Sequence, residues 1–157
     1  MAQSVMPSQT IHASAVVFDD TGILILGPSG AGKSALALDL IDQGLLRGIP
    51  ACLIGDDRLV ITKSCEHLLA GPAANLAGLI EVRGSGIHRI SHMEQAPLHL
   101  AVRLVPENEA LRMPEAKPAE VLPGVKLPLL MLPQGHAASR AVLAHLGHYG
   151  GVKSAGK

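Results

Sequence analysis

The residues of this chain that could do chemistry fall into three short blocks. The first is GPSGAGKS, Gly27–Ser34, which matches G-x-x-x-x-G-K-[ST]. Gly27, Gly30 and Gly32 let a backbone curl with its N–H groups turned inward, and Pro28, Ser29 and Ala31 complete a loop around phosphate oxygens. A helix starting just after it adds partial positive charge at its N-terminus. Lys33 supplies a point charge to the β- and γ-phosphates, and Ser34 can give its hydroxyl oxygen to Mg²⁺. The block reads as a nucleoside triphosphate site.

The second block is LIGDDRLVI, where Asp56 and Asp57 follow a short apolar run. An apolar strand ending in acid is how a phosphate-binding loop protein presents a carboxylate beside its Mg²⁺. The same residues also fit a turn that caps a strand. Two adjacent acids can divide labour, one toward a metal and one toward the proton of an acceptor hydroxyl. Successive side chains of an extended segment face opposite ways, so one of the pair faces the acceptor. The third block is LIEVRGSGIHRI, Leu79–Ile90. Glu81 and Arg83 have the spacing of one strand face, just before Gly84 and Gly86 permit a tight backbone. They suit either a metal–phosphate site or a surface ion pair.

The elements that must position these blocks are legible in the apolar pattern. IHASAVVFDDTGILILG reads as two strands joined by a tight turn at DDTG. Gly22–Leu26 is a continuous apolar run, as expected of a strand buried on both faces. Leu36, Leu40 and Ile41 have helical spacing, and Gly44 stands where a helix C-cap is expected. IPACLI and RLVIT are further strands, and 64–80 suits a short helix among glycine turns. LHLAVRLVP alternates like a half-exposed strand, and the prolines of 106–133 leave room for short elements only. HAASRAVLAHLGHY reads as a closing helix. The expected organisation is a frayed start over 1–10, one domain over 11–149 and a disordered tail over 150–157. The fold class is α/β: a P-loop nucleotide-binding domain with a central mixed sheet.

Composition narrows the function. The chain has 157 residues, 48% hydrophobic and 17% charged, which is enough for one domain with a buried core. One Phe, one Tyr and no Trp leave no platform for stacking single-stranded nucleic acid. Thirteen basic against thirteen acidic residues imply no polyanion-binding face. Cys52 and Cys65 are too few for a disulfide framework or a CxxC zinc site, and are expected to be reduced, buried thiols. MAQSVMPSQT lacks the form of a signal peptide, and no apolar run approaches the ~20 residues of a membrane span. A cytoplasmic protein with no membrane or nucleic-acid partner is expected.

Taken together the blocks resemble the catalytic domain of bacterial HPr kinase/phosphorylase. The resemblance rests, in order, on His12 upstream of the loop, GPSGAGKS, the DD after the next strand, and IEVRGSGI. The last is close to the family's E-I-R-G-L-G-I signature, which ordinary P-loop ATPases and GTPases do not carry there. By that resemblance His12 is an active-site histidine near the phosphates, and Lys33 contacts the transferring phosphate. Ser34 and Glu81 hold Mg²⁺, and the Asp56–Asp57 pair supplies the acid/base, with Asp57 slightly favoured. Arg112, in EALRMPE, answers to an active-site arginine. The implied reaction moves the ATP γ-phosphoryl group to a serine of HPr, the phosphocarrier protein of the sugar phosphotransferase system. In reverse, phosphate attacks phosphoserine to give pyrophosphate. A homo-oligomer, a hexamer in the family, is implied as well.

Three departures qualify the match. The N-terminal domain of longer members is missing, so this looks like a short, catalytic-domain-only form. LLRGIPACLIG is longer than expected between Gly44 and Asp56, which would displace the aspartates slightly. The family's late arginine-rich loop is represented by LPQGHAASR, with Arg140 its sole arginine, so the kinase direction is favoured over phosphorolysis. The alternatives are an ATP-binding regulatory module with little turnover, and a generic P-loop ATPase. Against the ATPase stand IEVRGSGI and His12.

Overall fold

The strand Thr21–Leu26 (β3) carries large aliphatic residues from Ile23 onward, so neither of its faces suits water. The structure, a computed structural model describing residues 8–64, 67–135 and 137–148, covers both. Ile23 and Ile25 pack with Val16, Phe18, Val102 and Leu104 under two helices, α1 (Lys33–Arg47) and α2 (Ala138–His145). Leu24 and Leu26 point the other way, into Ala15, Ile54 and Ala101 and against Leu59, Ile61 and Ala70 of a second sheet. The result is three layers: helices, a central sheet and a smaller sheet.

The central sheet adds β2 (Ser14–Phe18), β4 (Ala51–Gly55), β10 (Leu100–Val105), β11 (Lys117–Leu122) and β12 (Val125–Pro133) to β3. Their spatial order is β11-β12-β10-β3-β2-β4. β10 runs parallel to β3 and to β12, whereas β2 is antiparallel to both β3 and β4. Hence β3, β4, β10 and β12 all point the same way, and the sheet is mixed, as expected. The second sheet is antiparallel, in the order β1 (Gln9–His12), β5 (Arg58–Lys63), β6 (Leu68–Pro72), β9 (Ala96–Pro97). A separate hairpin pairs β7 (Leu79–Val82) with β8 (Gly86–Arg89).

Several sequence expectations are corrected. The first helix does not stop at Gly44 but runs to Arg47, closing in a Schellman motif with Gly48 at φ 67° and Ile49 N–H on the Gly44 carbonyl at 2.8 Å. Burying Leu36 and Leu40 contributes roughly 3–6 kcal/mol together, which outweighs the roughly 1 kcal/mol that a mid-helix glycine costs. Gly44 is there for clearance: a Cβ on it would lie 2.6 Å from the Ala51 Cβ and 2.8 Å from the Ile49 carbonyl oxygen. The long Gly44–Asp56 connection is thus absorbed as extra helix.

Within 64–80 the described residues form β6, turns and the start of β7 rather than a helix. LHLAVRLVP is a strand, but a nearly fully buried one, because β10 lies between β3 and β12. The prolines do not limit 106–133 to short elements, since β12 has nine residues. Pro128 faces Pro118 across the β11–β12 ladder, and pairing with β10 starts only at Leu129. A facing proline pair suits a non-hydrogen-bonded position, where no ladder donor is lost. Gln9 and Thr10 belong to β1 rather than a frayed start. The rest of that start up to Met6–Pro7, Cys65 and the tail lie outside the described residues. Cys52 is a free, half-buried thiol whose pKa burial pushes up.

Candidate active site

Because four strands share a direction, their C-terminal ends open on one edge, where α/β sheets characteristically bind ligands. β3 leads there into Gly27–Ser34, and β4 into Asp56. The segment after β10 carries Arg112. β2 runs against them, so its first residue, Ser14, starts at that same edge, opposite Ile25.

The loop has the geometry that its glycines predict. Gly30 and Gly32 adopt φ 82° and 97°, left-handed conformations that a side chain would strain. Gly32 caps α1 with its carbonyl, and no side chain caps the first turn, so its N–H groups are left for a ligand. Lys33 is only 7% exposed, and its ammonium donates to the carbonyls of Gly27 at 2.9 Å and Pro28 at 3.0 Å. Burial pulls its pKa below the usual range, opposed by the charges of Asp56 and Asp57.

The aspartates part company. Asp56 is 4% exposed. Its Oδ1 accepts from Ser14 Oγ at 2.5 Å and from Ser34 Oγ at 2.8 Å, and its Oδ2 from Ser34 Oγ at 2.9 Å and the Glu81 N–H at 3.1 Å. The long preceding connection therefore leaves Asp56 within hydrogen-bond reach of Ser34. Asp57 turns outward, its side chain 62% exposed, and its Oδ1 lies 2.7 Å from His12 Nε2. The divergence comes from a γ-turn about Asp57, with φ 67° and Arg58 N–H on the Asp56 carbonyl at 2.8 Å. Such positive-φ turns are strained and gather at functional sites. The Ala13 N–H donates to the Asp57 carbonyl at 3.1 Å, and His12 pairs with Arg58, which ties β1 to this turn.

Glu81 joins through its backbone, since its N–H holds Asp56 while its side chain is exposed on β7. Arg83 lies past the end of β7 in the hairpin turn, so it does not share a strand face with Glu81, and the two form no ion pair. Arg112 is exposed between the 3-10 turn Glu107–Glu109 and β11, on the right edge but without a polar contact to the other candidates. Ser14 went unnoticed in sequence. The available signal was a serine opening an otherwise apolar strand, two residues after His12. A cavity of about 400 Å³, lined by Lys63, His67, Glu120 and Lys126, lies at the far end of β5 and β12 and includes none of these residues.

Comparison with known proteins identifies the family. Residues 3–144 match the family model described as the HPr Serine kinase C-terminal domain. The chain belongs to that family. Relatives named HPr kinase/phosphorylase include one from Mycoplasma mycoides, 37% identical over 110 residues, covering 66% of this chain and 33% of that protein. Another, from Caldicellulosiruptor bescii, is 30% identical over 159 residues, covering 93% of this chain and 49% of that protein. The Hpr(Ser) kinase/phosphatase structure from Coxiella burnetii superposes with a TM-score of 0.70 at 28% identity, covering 85% of this chain and 91% of that one. The HPr kinase domain described here thus spans half or less of the length of the two named relatives.

Proposed function

We propose that this chain is a protein-serine kinase that moves the γ-phosphoryl group of ATP to a serine of HPr, with Mg²⁺. The observation that carries the reading is the split of the aspartates: Asp56 is buried on Ser34, and Asp57 is open to solvent beside His12. The loop N–H groups and Lys33 hold phosphates. Ser34, Asp56 and Glu81 offer hard oxygen donors of the kind Mg²⁺ takes, and the ion when bound neutralises phosphate charge. Asp57 accepts the proton of the incoming serine hydroxyl, and His12 keeps its carboxylate oriented. Arg112, on the same edge, supplies a further charge for the phosphoryl oxygens.

In the reverse direction Asp57 returns its proton as phosphate attacks phosphoserine, yielding pyrophosphate. The kinase direction is favoured, because Arg140, exposed on α2, is the sole arginine of LPQGHAASR. The proposal includes a cytoplasmic location; no helix among the described residues is long and apolar enough to cross a membrane. It also includes a homo-oligomer, a hexamer by family likeness, for which the exposed Leu45, Leu46 and Met113 are apolar surface available to cover. The test is incubation with purified HPr, ATP and Mg²⁺, mass analysis of HPr, then a phosphate chase. Phosphoseryl-HPr is expected. Tight ATP binding without transfer would favour a regulatory module, and phosphate release without an acceptor an ATPase.

A further inference from the structure

The turn of the β7–β8 hairpin holds a nucleophile–base pair that the reaction above does not use. Ser85 Oγ lies 2.7 Å from His88 Nε2, and both residues are exposed. With the imidazole proton on Nδ1, the hydroxyl donates to Nε2, the arrangement that activates a serine oxygen. No carboxylate orients His88 among the described residues, so the pair lacks the third member of a hydrolase triad. A phosphoryl acceptor needs none: it requires a hydroxyl, a group to take its proton, and a place for the product's charge.

The hairpin offers that place too. Arg83, two residues before Ser85 in the same turn, is exposed, and its side chain makes no hydrogen bond or ion pair with a described residue. A phosphoserine carries about −1.5 to −2 charge near neutral pH and is stabilised by such guanidinium groups. The position is close to the chemistry. Ser85 N–H bonds the Val82 carbonyl at 2.9 Å, which sets Ser85 about two strand positions, roughly 7 Å, beyond Glu81, whose own N–H holds Asp56.

We propose that Ser85 is a self-phosphorylation site, with His88 as its proton acceptor; this rests on the kinase reading above. Ser85 Oγ forms a bond to the γ-phosphorus while the bond from that phosphorus to the β,γ-bridging oxygen breaks. ADP leaves, and the hydroxyl proton passes to His88 Nε2. The product places a dianion in the hairpin turn beside Arg83.

The experiment is one incubation of the full chain with ATP and Mg²⁺, with and without HPr, followed by phosphopeptide mapping of both proteins. One phosphoryl group on the peptide containing Ser85 is expected, absent in Ser85→Ala and in Lys33→Ala. His88→Gln should lower its rate of appearance at least tenfold while labelling of HPr stays within twofold. Labelled HPr with an unmodified Ser85 overturns the proposal and leaves the kinase reading standing. Labelled Ser85 with unlabelled HPr sustains the proposal and removes HPr as the acceptor. No label on either protein sinks both.

Discussion

Asp56 and Asp57 are neighbours in sequence and opposites in surroundings. Asp56 is 4% exposed and accepts hydrogen bonds from two serine hydroxyls and a backbone N–H supplied by β2, α1 and β7. Asp57 is mostly in solvent and has one side-chain partner, His12. In the proposed reaction the buried side, held by three packed elements, takes the part that never varies, a phosphate and its metal. The open side takes the separate macromolecule that the proposal requires, and burying it would exclude that acceptor. One γ-turn gives consecutive residues these two environments.

The comparison can be broken from the open side first. Asp57→Asn removes the proposed base and keeps the size, so transfer to serine should fall about 10²–10⁴-fold, with nucleotide affinity unchanged. Single-turnover transfer and nucleotide titration read the two quantities, and an equal loss in both would erase the distinction. Lys33→Ala, on the buried side, should cost about 10²–10³ in transfer and weaken nucleotide binding as well.

Asp56→Asn comes next in size. The amide oxygen can still take the Glu81 N–H while the serine hydroxyls rotate to accept from the amide nitrogen, but charge-assisted hydrogen bonds become neutral ones, so about 1–2 kcal/mol of stability should be lost. Asp57→Asn should stay within about 0.5 kcal/mol of wild type in the same urea unfolding series. Equal stability losses would mean that the burial difference has no energetic consequence.

The smallest effect concerns Lys33 itself. Its folded pKa lies below the ordinary 10.5, chiefly through burial. Between the two values the unfolded chain binds more protons, so the contribution of Lys33 to stability rises with pH across that window. The unfolding free energy of wild type minus that of Lys33→Met should therefore rise as pH climbs toward 10.5. A difference that falls over that range would contradict burial as the leading cause.

Legibility followed how local each signal was. The Gly27–Ser34 loop, the continuous run of β3 and the helix after it were readable because turn chemistry and apolar period are properties of adjacent residues. Gly44 misled because its reason for being glycine is Ala51, which becomes a neighbour only on folding. LHLAVRLVP looked half-exposed because alternation cannot show that partners lie on both sides of a strand. The nine-residue β12 was hidden by Pro128, whose tolerance depends on the ladder register opposite Pro118.

By itself the sequence determined that Gly27–Ser34 would form a loop shaped to cradle phosphates, since those backbone conformations and the charge of Lys33 are written in consecutive residues. It also brought two carboxylates to the end of a strand and marked the family through IEVRGSGI. Which aspartate is buried on Ser34 and which lies open beside His12 was decided by tertiary structure alone. Ser14, Ser34 and the Glu81 N–H come from three elements far apart in the chain, and they meet only because parallel β3 and β4, with β2 running against them, open on one edge. A hydrogen-bond cage assembled across that edge selects Asp56 and, through the γ-turn, leaves Asp57 to solvent.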